Sequence, residues 1–94
     1  MHLLFTVADR FYIEGRGCVL VPGVSTDSSI TGLRQGTRIR LRTPSGKEID
    51  TFIKDLEMIT HRQEEPAKIA APVLLPKDIA KEDVPVGTEV LLLD

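Results

Sequence analysis

The 94-residue chain has no tryptophan, one tyrosine and one cysteine, Cys18. A single cysteine excludes an intramolecular disulfide and a thiolate zinc cluster. The chain also lacks any apolar run near the roughly 18 residues that a membrane-spanning helix needs. It has no excess of positive charge: 12 Lys and Arg stand against 14 Asp and Glu, for a net charge of −2. Strong binding to nucleic acid or an anionic membrane therefore has no basis in overall charge and would need a local patch. The opening "MHLLFTVADR" has no basic n-region, and its apolar run breaks at Asp9-Arg10. A secretory signal is not expected, and the cytoplasm is the expected address. There is no internal repeat, low-complexity tract or long linker.

What is present fits one globular domain over residues 1–94. A hydrophobic fraction of 41% with 28% charged residues separates the chain from disordered sequences. At this length, folding can bury roughly 60–70% of the surface that the unfolded chain exposes. Short β-rich segments alternate with turn residues, which predicts a small sandwich or barrel. Strands are expected near Leu3–Ala8, Gly17–Val24, Thr37–Thr43, Lys47–Ile59, Ala67–Leu75 and Thr88–Leu93. Prolines 22, 44, 66, 72, 76 and 85 cluster near segment ends, where turns and edges tolerate them. The one helical candidate, Pro76–Asp83, is too short and mixed for more than a turn or two. The fold class is all-β.

The segment "RIRLRTPSGKEID" carries the clearest local inference. Ile39 and Leu41 alternate with Arg38, Arg40 and Arg42, so the arginines share one outward face. Thr43-Pro44-Ser45-Gly46-Lys47 suits a three-residue hairpin loop, with proline setting a type I turn and glycine supplying the left-handed residue. That loop pairs Arg42 with Glu48 and Arg40 with Asp50, and sets Leu41 beside Ile49 on the inner face. A one-residue slip would place Arg42 beside Lys47 and turn the inner residues outward. Two of the three arginines thus acquire acidic partners across the hairpin, which favours a solvated, ion-paired face over a nucleic-acid face. Arg38 falls near Phe52, with room for a cation–π contact.

"EGRGCVLVPGV", residues 14–24, poses the main question about chemistry. Gly15-Arg16-Gly17 fails as a dinucleotide fingerprint: the third glycine would fall at Leu20, and a β-rich run follows where a helix should begin. Ser45-Gly46-Lys47 lacks the upstream glycine of a P-loop, and Glu48 stands where a magnesium-holding Ser or Thr belongs. No GTP binding and no cofactor are expected. His2 and His61 have no partner at metal-ligand spacing, so no metal site is expected. Cys18 lies in an apolar strand and reads as buried and inert. The carboxylates Glu64-Glu65 and Glu82-Asp83 read as solvated loop residues. No constellation for catalysis emerges, so the chain is not expected to be an enzyme.

Phe11, Ile13, Gly15, Arg16, Gly17, Val19 and Val24 together form a spaced pattern that resembles the β-barrel second domain of translational GTPases, elongation factor Tu above all. The similarity continues through "GTRIRL" from Gly36, "LEMI" from Leu56 to Ile59, and "VLLPKDIAKEDVPVGTEV" from Val73 to Val90. It covers nearly the whole chain, with a few extra residues near "STDSSITG". It implies a closed antiparallel barrel of about six strands, here as a module detached from any GTPase domain. In that family Gly-Arg-Gly is a strand-initiating turn packed against the barrel; one of its glycines would take positive φ, and Val19 and Val24 would supply the wall. Asp55 falls where such barrels often carry a bulge. A bulge there would reconcile Ile49, Thr51 and Ile53 on the inner face with Leu56 and Met58.

The resemblance bears on function residue by residue. The family's domain helps to hold the aminoacyl end of transfer RNA, and Glu57 stands at the glutamate that packs on the terminal adenosine. The arginine expected three residues later is Thr60, and the asparagine expected fourteen residues after the glutamate is Ala71. Pro22 also replaces a glycine common in the Gly-Arg-Gly strand. With one match in three, an unknown protein partner is the favoured expectation. Ribosome or RNA binding is the alternative, supported by kinship and by Arg16, Arg34 and Arg38. The candidate binding surface is Arg16, Arg34, Arg38 and Glu57.

Overall fold

The computed structural model describes residues 1–25, 33–56 and 70–93. Among these residues eight strands form two four-stranded sheets in which every ladder is antiparallel. They are β1 (His2–Thr6), β2 (Asp9–Ile13), β3 (Gly17–Ser25), β4 (Arg38–Arg42), β5 (Glu48–Phe52), β6 (Asp55–Leu56), β7 (Ala70–Leu74) and β8 (Glu89–Leu92). One sheet has the order β1-β8-β4-β5 and the other β2-β3-β7-β6. The only helical element among the described residues is a 3-10 turn at Lys81–Asp83, inside the segment expected to hold no more than a turn or two. The all-β class therefore stands.

The count of about six strands in a closed barrel does not match this arrangement, because two segments depart from expectation. The first is β2, which was not expected as a strand and follows the one expected over Leu3–Ala8. At the bend, Val7 N donates to Thr88 O at 2.8 Å and Ala8 N to Val21 O at 2.9 Å, so the chain leaves β8 and takes up β3. The second was expected as Lys47–Ile59 with a bulge at Asp55. It breaks at Ile53 and Lys54 instead. Ile53 N donates to Thr37 O at 2.8 Å, and Lys54 N to Leu74 O at 2.9 Å on the opposite sheet. Among the described residues no ladder closes the two sheets into a barrel.

The hairpin register is the one its loop demands. Arg42 pairs with Glu48, Leu41 with Ile49, Arg40 with Asp50 and Arg38 with Phe52. Thr43 N donates to Lys47 O at 2.8 Å and Gly46 N to Thr43 O at 2.9 Å. Gly46 has φ +96°, the left-handed residue that the loop needs after its type I turn. The buried Thr43 hydroxyl braces the loop by accepting from Lys47 N at 3.0 Å.

Alternation sorts the side chains. Phe5, Val90, Leu41 and Ile49 form one inward row across the first sheet, and Cys18, Leu20 and Val73 supply the second. Ile39, Ile53, Leu75 and Val84 complete a core with no solvent exposure at these four positions. Val19 and Val24 are buried, as a wall role requires, and Ile49, Thr51 and Leu56 are half-buried. Met58 lies outside the described residues. Pro22, after a cis peptide bond, occurs where pairing to β2 has ended and pairing to β7 shifts register. A missing amide donor is tolerated at such a place.

Candidate functional site

Gly15-Arg16-Gly17 joins β2 to β3 as a tight hairpin turn. Arg16 N donates to Ile13 O at 2.9 Å, and both glycines have positive φ. Their demands differ. A Cβ on Gly15 would meet nothing within 4 Å, whereas one on Gly17 would lie 2.5 Å from the carbonyl oxygen of Leu75. Gly17 therefore lets β3 start directly against the end of β7, where Leu75 N donates to Cys18 O at 2.8 Å. The segment is a packing turn.

Beside this turn lies a cleft of about 200 Å³ lined by Gly15, Arg16, Gln35, Lys54, Asp55 and Leu74. Arg16 is exposed here and already engaged in an interaction of its own. Arg34 is exposed in the loop before β4, where its backbone N donates to Thr37 Oγ1 at 3.1 Å. Arg38 is exposed at the start of β4, directly opposite the exposed Phe52. Arg16 thus belongs to the turn-side cleft, while Arg38 belongs to the other sheet. Glu57 and Thr60 lie outside the described residues. Ala71 is buried and pairs with Val24; its carbonyl lies against Gly23. The position where the family carries a contacting asparagine is a core position here.

The arginine stripe is an ion-pair lattice. Arg40 Nε lies 2.6 Å from Asp50 Oδ1, and its Nη2 lies 3.0 Å from Oδ2, a bidentate pair. Arg42 stands between Glu48, 3.2 Å away across β5, and Glu89, 3.6 Å away across β8. Glu48 also reaches Arg40 at 3.8 Å. Arg40's hydrogen bond holds the Asp50 carboxyl below the usual aspartate range, with smaller help from the charges of Arg40 and Arg38 and partial opposition from burial. The same hydrogen bond raises Arg40. Glu89 was not anticipated as a member, because β8 could not be placed beside β4 from local sequence.

The surface that sequence reasoning missed is β2. This five-residue strand at the edge of its sheet exposes Phe11 (51%), Tyr12 (49%) and Ile13 (38%). Its run "DRFYI" has no period-two alternation after Arg10, so it did not read as a strand, although "FYI" before a Glu-Gly turn was an available signal. Tyr12 forms one wall of a cleft of about 400 Å³ completed by Lys77, Asp78, Ala80, Lys81 and Glu82. Two residues back on the same face, Arg10 has a buried Nε with no hydrogen-bond partner among the described residues. Cys18, paired with Tyr12, is fully buried. Burial raises its thiol pKa, with Arg10 and Lys81 pulling the other way and Glu82 adding slightly to the rise.

Among the described residues no group of three or more His, Cys, Asp or Glu is placed to hold a metal. No helix among them is long and apolar enough to cross a membrane. Comparison with known proteins gives no matching family model, no matching curated protein and no matching solved structure.

Proposed function

We propose that this chain is a non-catalytic protein-interaction module, cytoplasmic in address, built on a translation-factor type of β-barrel. The observation that carries the interaction role is the exposed apolar run Phe11-Tyr12-Ile13 on an edge strand. Natural proteins protect such edges with charge, proline or cover unless a partner uses them. The barrel reading is supported by the two places where one run of chain serves both sheets, at Val7-Ala8 and at Ile53-Lys54. It is supported too by the close approach that Gly17 permits.

Electrostatics favours a protein partner over RNA. Arg40 and Arg42 already face Asp50, Glu48 and Glu89, so phosphate contacts there would have to displace existing ion pairs. The buried Ala71 offers no polar group to a nucleotide. The second reading, ribosome or RNA binding, draws on one observation: Arg38 and Phe52 are exposed side by side, a pairing suited to stacking on a base. Filter binding of ribosomes at about 50 and 200 mM salt separates the two, because phosphate contacts weaken steeply with salt. The interaction reading predicts no retention at either concentration, and retention that collapses at the higher one would establish the second reading.

A further inference from the structure

Among the described residues no strand pairs with the outer edge of β2; that edge is complementary to itself, and we infer that it pairs antiparallel with β2 of a second copy of this chain. Placing the two-fold axis at Tyr12 sets Tyr12 against its counterpart. Phe11 then faces Ile13 on each side, and Arg10 faces Glu14. The aromatic and aliphatic pairs are those that stabilise neighbouring strands. Phe11 and Ile13 on one face of the strand and Tyr12 on the other, each 38–51% exposed, would lose part of their water.

Charge selects this register. Arg10 makes no ion pair with any described residue, and its Nε is buried without an acceptor. Glu14, the first residue beyond the strand, is exposed and likewise has no ion pair among the described residues. The self-pairing sets a carboxylate opposite each Arg10, twice per dimer by symmetry. Moving the axis to Phe11 would instead place Asp9 against Ile13 and leave Glu14 without a cation. The 400 Å³ cleft beside Tyr12 gives the incoming tyrosine space to seat without displacing core residues.

The two copies would share one continuous eight-stranded sheet. A five-residue strand with three apolar side chains covers less surface than the roughly 800 Å² per partner of a standard stable interface. The association is therefore weak, with a dissociation constant on the order of 100 μM. It deepens the interaction-module reading and rests on it; ribosome binding is measured separately, so the two can fail independently.

The experiment is sedimentation equilibrium from about 10 μM to 1 mM, the range that brackets such a constant. Wild type is expected to shift from monomer to dimer across it. Glu14→Arg alone, and Arg10→Glu alone, create like-charge pairs and should weaken self-association by roughly tenfold or more. An equimolar mixture of the two variants restores opposite charge at both positions and should associate as a heterodimer. Circular dichroism verifies that each variant is folded. Tyr12→Lys, at a half-exposed position, provides a second disruptive variant if Arg10→Glu unfolds. A wild type that stays monomeric at 1 mM, or a dimer indifferent to both Glu14→Arg and Tyr12→Lys, overturns the inference.

Discussion

Replacing Gly17 with alanine should damage this fold far more than replacing Gly15, although the two flank one arginine and both have positive φ. For Gly15 the cost is conformational. A left-handed backbone costs an L-residue about 1–2 kcal/mol, partly offset by roughly 0.4–1 kcal/mol because alanine narrows the unfolded ensemble. The net is about 1 kcal/mol, since the new Cβ meets nothing within 4 Å. Gly17→Ala carries the same backbone cost plus a collision. Its Cβ would lie 2.5 Å from Leu75 O, well inside the roughly 3.5 Å of comfortable nonbonded contact. That oxygen is fixed backbone, and the adjoining Leu75 N to Cys18 O bond at 2.8 Å ties β7 to β3. Relief requires the strands to part, adding about 1–3 kcal/mol as in overpacked cores. At about 4–8 °C of Tm per kcal/mol for a domain of this size, Gly15→Ala should lower Tm by roughly 5 °C and Gly17→Ala by roughly 10–25 °C. Thermal unfolding followed by circular dichroism measures both. Equal shifts would refute the close approach of β3 to Leu75.

Glu48→Arg would place three arginines together in place of an ion-pair lattice, and should lower Tm by several degrees. Glu82→Arg, on the exposed 3-10 turn, should change it little; equal losses would contradict the hairpin register. Asp50, whose native pKa is depressed by Arg40, contributes stability that is present above its ordinary value of 3.8 and lost as pH falls through the lower native value. Urea titrations from pH 6 down to about 2 should therefore show a steeper acid loss for wild type than for Asp50→Asn. Matching acid limbs would argue against the bidentate pair. Cys18, buried and with a raised thiol pKa, should resist a water-soluble disulfide reagent in the native state and react fully in urea. Rapid native labelling would place it outside the core.

The parts legible in the sequence were those governed by short-range rules. The loop Thr43–Lys47 fixes register by its own length and its glycine, so Arg42–Glu48 and Arg40–Asp50 followed without tertiary information. Cys18 read as buried because its neighbours in β3 are apolar, and the same run supplied the wall residues Val19 and Val24. What escaped was set by long-range pairing. The end of the first strand at Ala8 was legible, but nothing local marks Asp9–Ile13 as a strand of the other sheet; that follows from Ala8 turning from β8 toward Val21. The break at Ile53-Lys54 has the same origin, since Lys54 bonds to a residue twenty positions away. Arg10 and Tyr12 gained interest only once β2 proved to be an edge and the 77–82 segment closed a cleft beside it. Of the expected binding residues, Arg16 is exposed in the turn between β2 and β3 and Arg38 on the other sheet, which no periodicity argument could reveal.

The most direct test of the claim that this module serves a protein partner is a titration of fluorescently labelled aminoacyl-transfer RNA against wild type and Glu57→Ala. No saturable binding by either protein is expected up to about 100 μM at 0.15 M salt, a ceiling that spans the roughly 1–100 μM range of non-specific nucleic-acid contacts. Thr60 cannot supply an arginine's planar donors, and Ala71 is buried. Tight, salt-sensitive binding by wild type that Glu57→Ala abolishes would contradict the account and restore a translation-factor role.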